Sequence, residues 1–304
     1  MEGALSYAVI TPARNEEANL RRLATALAGQ TRAPRQWIVV ENGSTDDTLA
    51  LCHALTDDHP WISVLETEGT PAPVRGAPIV RAINAGLREL DPAVDVVVNV
   101  DADVSMPPAY FETLLAHFAG DASLGIASGS AYELDAGDWQ QRHVTGGTVW
   151  GATRAYRRTC LEEISPLEER HGWDGLDQLA ARARGWRTAT LVDLQFLHHR
   201  AEGERDGSRW AHWQTCGDTA HYMGYRSWYL ALRALHQART ETAALGLISG
   251  YASAALRRSP RWDNEAGRRV LRDDQSLGNL RRRWREAVGR AVPAERRTAG
   301  SDSA

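Results

Sequence analysis

The stretch Val96-Val97-Val98-Asn99-Val100-Asp101-Ala102-Asp103 is an apolar run that stops at two carboxylates one residue apart. A short apolar run closed by turn-formers predicts a strand buried on both faces, the kind found in a parallel sheet. Open α/β sheets bind ligands beyond the carboxyl ends of their strands, so Asp101 and Asp103 are expected at a ligand crevice. Two hard oxygen donors at that place suit Mg²⁺ or Mn²⁺, and such an ion in turn grips phosphates. Taken alone, the tripeptide is also compatible with an Asx turn that merely ends the strand.

Working outward, the first half alternates strand and helix signals. Strands are predicted at 7–11, 36–41, 61–66, 95–101 and 124–132. Helices are predicted at 16–27, from Ser44 or Thr45 (as caps) to 55, at 78–90 and at 107–118. This alternation predicts an α/β fold with a doubly wound, mainly parallel central sheet. Beyond residue 135 the pattern changes. A turn at Gly146-Gly147 precedes a strand-like 148–153, then helices at 158–164 and 174–184 flank a loop through Gly172, and a strand follows at 188–194. After His198-His199-Arg200 the chain reads as a helical extension rich in aromatics, from Trp210 to Tyr229. The expected organisation is a catalytic unit at 1–200 (halves 1–134 and 135–200), a helical region at 201–297 and a disordered tail at 298–304.

Composition narrows the classes. With 304 residues, 43% hydrophobic and 24% charged, the chain can bury a real core. A net charge of -4 supplies no basic field for nucleic acid. Every one of the 35 basic residues is Arg, which reads as a genomic base-composition bias. Three scattered cysteines, Cys52, Cys160 and Cys216, suggest neither a disulfide framework nor a zinc ribbon. Strand signals inside the first ten residues leave no room for a signal peptide, and no run approaches the roughly 20 apolar residues of a membrane span. A cytoplasmic protein is expected.

The polar loop Thr11-Pro12-Ala13-Arg14-Asn15-Glu16-Glu17 follows the first strand, where nucleotides dock in such sheets, although Asn15 or Glu16 could simply cap a helix. It has neither Gly-x-Gly-x-x-Gly nor a Gly-Lys-Ser/Thr phosphate loop, which weakens dinucleotide and ATP readings. The second strand ends in Glu41, a position suited to gripping a nucleoside. Three strand ends, near Pro12, Glu41 and Asp101, thus converge on one crevice edge.

Pro12 to Glu17, Val39-Val40-Glu41-Asn42-Gly43-Ser44-Thr45-Asp46 and Asp101-Ala102-Asp103 together resemble the family 2 nucleotide-sugar glycosyltransferases of the glycosyltransferase A fold, over roughly residues 6–200. The resemblance implies that Pro12, Arg14, Glu16 and Glu41 line the nucleoside pocket and that Asp101 contacts ribose and metal. Asp103 would coordinate the Mn²⁺ or Mg²⁺ that bridges the donor diphosphate. Glu41 departs from the family's usual Asp by one methylene. Arg81 is similar to the family's basic residue before a small-residue helix, or is a solvated helix charge.

Trp173-Asp174-Gly175-Leu176-Asp177 resembles the acidic motif that opens a helix in this family, where an acid in inverting members deprotonates the acceptor hydroxyl. Asp174 matches the first acid of that motif. The usual second acid is replaced by Gly175, and Asp177, three residues on, is the second candidate base or else a helix N-terminal acid. His198 and His199 are candidates for a further metal ligand, His198 the preferred one, and Arg200 could pair with phosphate. The run 205–226 resembles bacterial members linked to envelope and exopolysaccharide assembly. From Arg257 to Arg297 thirteen Arg face six acids, and with Trp262 and Trp284 these suit peripheral contact with an anionic membrane at the inner face of the cell, or a solvated charged helix.

The expected activity is metal-dependent, inverting transfer of a sugar from a nucleoside-diphosphate donor to a glycan, lipid-linked or small-molecule hydroxyl. Rival readings are a nucleotidyltransferase acting on sugar phosphates and a non-catalytic saccharide-binding relative.

Overall fold

A computed structural model describes residues 5–69, 76–135, 137–142, 149–200 and 208–279. The N-terminal half follows the predicted alternation: β1 (Tyr7–Ala13), α1 (Glu17–Ala28), β2 (Gln36–Glu41), α2 (Thr48–Asp58), β3 (Ile62–Glu66), α3 (Ala77–Arg88), β4 (Val96–Val100), β5 (Val104–Ser105), α4 (Tyr110–Gly120) and β6 (Leu124–Asp135). The remainder adds β7 (Asp138–Gln141), β8 (Thr153–Arg157), α5 (Arg158–Ile164), α6 (Trp173–Ala183) and β9 (Arg187–His198). The C-terminal helices are α7 (Arg209–Met223), α8 (Ser227–Gln237), α9 (Gly246–Leu256) and α10 (Glu265–Asp274).

These strands form one sheet in the order β3-β2-β1-β4-β8-β6-β9-β5, with β7 on β6. Six strands run one way; β8, β5 and β7 run against them, so the sheet is mixed with a parallel N-terminal half. Side chains alternate between faces. Val9, Trp37, Val39, Val96 and Val98 bury against α1, α2 and α4 on one side. Ile10, Ile38, Val40 and Val97 bury against α3, α5 and α6 on the other. This two-sided burial is why the strands read as continuous apolar runs.

Three expectations need correction. The strand signalled at 148–153 is displaced to Thr153–Arg157, because the carbonyls of Val149, Gly151 and Ala152 are spent on side chains and on the β4 end. Helix α2 starts at Thr48, not at Ser44 or Thr45. Asp46 accepts from Thr48 N, while Gly43 N and Ser44 N donate to Glu41. Strand β9 runs four residues past the predicted end, to His198. The turn at Gly146-Gly147, the start of the 205–226 run, the distal Arg-rich segment with Trp284, and 298–304 lie outside the described residues.

The C-terminal helices pack as an extension. Helices α7 and α9 cross closely through Gly217, Gly246 and Gly250, and α10 lies on α6. Met223 and Leu271 join the core beneath α6. Among the described residues no helix is long and apolar enough to cross a membrane.

Candidate active site

Asp101 and Asp103 stand just past the C-terminal end of β4, as the apolar run predicts. The Asp101 amide donates to Ala152 O at 2.9 Å, and Asn99 Nδ2 reaches Asp101 Oδ1 at 3.3 Å. Burial, then repulsion from Asp103, pushes the Asp101 carboxyl up to about 6. Asp103 is 9% exposed and faces two nitrogen groups: His198 Nε2 at 3.4 Å from Oδ1, and Arg200 Nη1 at 3.3 Å from Oδ2. Burial alone would raise the Asp103 carboxyl, but the His198 and Arg200 contacts outweigh it and leave it lowered.

His198 is placed by register. It lies opposite Val104 of β5 and opposite Glu133 of β6. Its Nδ1 sits 3.0 Å from Glu133 Oε1, so the imidazole bridges two carboxylates. Burial would lower its pKa, but the bonds and charges of Asp103 and Glu133 raise it to about 9. Arg142 closes the far side of Glu133 at 3.1 Å. His199 turns away, with Nε2 2.7 Å from Ser105 Oγ and its ring edge-on to Trp139. Glu133 carried no signal in the sequence, since only the β6–β9 register brings it to His198.

Pro12 is the penultimate residue of β1, opposite Val40 of β2, and Arg14 follows the strand. Asn15 adopts φ 55°, and its side chain accepts from Thr45 N at 2.8 Å while Ser44 Oγ accepts from Asn15 N at 3.0 Å. The two loops are thereby clasped. Glu16 is buried, and its carboxylate receives both Arg200 Nη atoms (2.9 and 2.8 Å) instead of capping α1. Glu41, also buried, folds its carboxylate onto Gly43 N and Ser44 N. Arg81 is exposed on α3 and pairs with Glu169 at 3.1 Å.

The two candidate bases differ sharply. Asp177 is 4% exposed, and its oxygens take Arg154 Nε (2.9 Å), Arg154 Nη2 (2.5 Å) and Tyr156 OH (2.5 Å). Both oxygens are engaged inside the core, out of an acceptor's reach, which speaks against the expected second base: its helical face turns into the core. Asp174, in the first turn of α6, is partly exposed; its Oδ1 accepts only from Gly175 N at 3.0 Å among the bonds seen.

Among the described residues no group of three or more His, Cys, Asp or Glu is spaced to hold a metal as it stands. The donor chemistry nevertheless fits one. Asp101, Asp103 and His198 offer two carboxylates and an imidazole, and both contacts on Asp103 exceed the roughly 2.7–2.9 Å of tight charge-assisted bonds.

A parallel donor sheet ending in paired carboxylates, followed by a mixed half with an acid-opened helix, defines a glycosyltransferase A fold. The profile of glycosyl transferase family 2 matches residues 8–169, more than half of the chain. The protein belongs to that family and is a glycosyltransferase. Among solved structures it is similar to the mannosyltransferase PcManGT from Pyrobaculum calidifontis in complex with GDP-Man and Mn²⁺ (TM-score 0.57, 17% identity, 94% of this chain and 85% of that one). It is also similar to S. aureus TarS 1-349 with UDP-GlcNAc (0.53, 20%, 70% and 65%). A third is GalNAc-T7 with UDP, GalNAc and Mn²⁺ (0.55, 14%, 71% and 48%). At these identities the likeness is one of fold. A comparison with curated proteins found no matching sequence.

Proposed function

We propose that the protein is a divalent-metal-dependent, inverting glycosyltransferase. It moves a sugar from a nucleoside-diphosphate donor to a hydroxyl of a glycan, lipid-linked or small-molecule acceptor. The observation that carries this reading is the pairing of Asp103 with His198, 3.4 Å apart just past the β4 end where Asp101 also stands, with Asp174 in the first turn of α6. Donors of this class occupy the solved PcManGT and TarS complexes.

Pro12, Arg14, Glu16 and Glu41 lie at the nucleoside end, with Glu41 acting through the loop it holds closed. Arg81 joins the donor side only by leaving Glu169. Asp103, Asp101 and His198 would hold Mn²⁺ or Mg²⁺, which when bound neutralises charge on the departing diphosphate. Arg200, freed from Asp103, is placed to pair with a phosphate oxygen. Asp174 takes the proton of the acceptor hydroxyl, while Asp177 holds α6 in place. A single base suffices for inversion, in contrast to the flanking carboxyl pair of glycoside hydrolysis. Trp262, expected at a membrane surface, is 3% exposed and packs in the core with α6; peripheral contact with anionic membrane is supported instead by Trp210, Leu245 and Ile248, exposed on the C-terminal helices.

The test is a donor screen with Mn²⁺ or Mg²⁺ present. Nucleoside diphosphate release that disappears with chelator fits the proposal. Release unaffected by chelator would overturn the metal dependence.

A further inference from the structure

We infer that Arg154 is a positioning residue of the transfer reaction, tying the first turn of α6, and with it Asp174, to the strand end that carries Asp101. The inference rests on the reading of Asp174 as the acceptor base.

Arg154 is 0% exposed, in the middle of the sheet. Its guanidinium divides its donors among three residues, two on α6 and one in the loop before β8. Nε and Nη2 bind the Asp177 carboxylate at 2.9 and 2.5 Å, Nη2 also donates to Asp174 O at 2.7 Å, and Nη1 donates to Val149 O at 2.5 Å. The plane lies against two rings, 5.8 Å from Tyr156 and 5.9 Å from Trp173. On the other side, Arg154 pairs in register with Asn99 of β4. Asn99 Nδ2 donates to Gly151 O, and the Asp101 amide donates to Ala152 O. A short run of bonds therefore leads from Asp101 through residues 151–154 to the backbone of Asp174.

A buried ion pair is a poor means of stabilising a core, because apolar groups of equal volume do as well or better. What apolar groups cannot do is fix two backbone carbonyls and a carboxylate in one plane. Arg does this with its rigid fork, and Lys, a point donor on a flexible stem, does not. The bonded carbonyl belongs to Asp174 itself, so a shift of the guanidinium moves the base relative to the donor carboxylates.

The test is steady-state transfer by Arg154→Lys in the full chain. The expected result is a kcat about 10²-fold lower, the cost of misplacing a catalytic group by about 1 Å. Donor KM and Mn²⁺-dependent binding of nucleoside diphosphate should stay within about twofold of wild type. Should Arg154→Lys fail to fold, Arg154→Met/Tyr156→Phe/Asp177→Leu replaces the charges with apolar groups that repack the core. That variant should fold and bind nucleoside diphosphate, yet show the same kcat loss. Combined with Asp174→Glu, Arg154→Lys should transfer about as slowly as the slower single variant, since it acts through that residue. Wild-type kcat in either folded Arg154 variant, or losses that multiply in the double, overturns the inference. Full transfer by Asp174→Asn overturns the base reading itself, and that result is scored separately.

Discussion

Arg200 lays both guanidinium nitrogens on the carboxylate of Glu16, at 2.9 and 2.8 Å, although 184 residues separate them. The bond ties the end of β9 to the loop after β1, and the same guanidinium reaches Asp103. The Glu16 carboxylate is 6% exposed, so removing its cation leaves a buried charge. Arg200→Gln should lower unfolding free energy by about 1–3 kcal/mol. A urea unfolding midpoint equal to that of wild type would show that the clamp holds nothing.

Asp103 faces the nitrogen groups of His198 and Arg200 at 3.4 and 3.3 Å. Asp103→Ala should abolish the rise in melting temperature that Mn²⁺ and nucleoside diphosphate give together, since a ligand that binds only the native state stabilises it. Retention of that shift would move the metal elsewhere.

Asp174 keeps a partly exposed carboxylate, whereas Asp177 does not. Asp174→Asn should cut transfer by about 10²- to 10⁴-fold, the usual share of general base catalysis, with nucleoside diphosphate binding preserved. Wild-type turnover would remove Asp174 from the chemistry.

Gly250 of α9 has the Gln214 carbonyl of α7 where a side chain would go: a Cβ there would meet that oxygen at 2.0 Å. Gly250→Ala should destabilise the C-terminal helices by about 1–3 kcal/mol, the range for overpacking. Donor binding should persist, because the clash falls between α7 and α9 and not on the strand whose end carries Asp101 and Asp103. Thermal melting and nucleotide titration read the two effects separately.

Asp121 accepts from Ser123 N and Oγ and pairs with Arg187, bonds that hold its carboxyl down at about 2. A depressed folded pKa contributes stability above the ordinary value of 3.8, and that contribution is lost as the pH falls toward about 2. Asp121→Asn should therefore flatten the loss of stability across this acid window. Chemical unfolding of both proteins at several pH values checks it, and parallel curves would refute the assignment.

Much of the donor half was legible in the chain itself. β2 matched its predicted residues, and β4 lay within one residue of them, because strands buried on both faces must be apolar throughout and stop where polar groups meet solvent. The same local logic put Asp101 and Asp103 at a strand end and Asp174 in the first turn of a helix. Local pattern could not separate Asp174 from Asp177. Three residues apart on one helix they look alike, and only the packing of α6 onto β8 sends one into the core to meet Arg154 and Tyr156.

The residues around Asp101-Ala102-Asp103 divide along the same line. That a buried strand ends there in two carboxylates follows from the sequence alone, since an apolar run and its polar stop are local facts. That Glu133, His198 and Arg200 gather about Asp103, with Arg154 linking its strand to α6, was decided by tertiary structure. Those contacts depend on which strands pair and in what register, and pairing between residues 65 or 184 apart leaves no periodic trace in either segment.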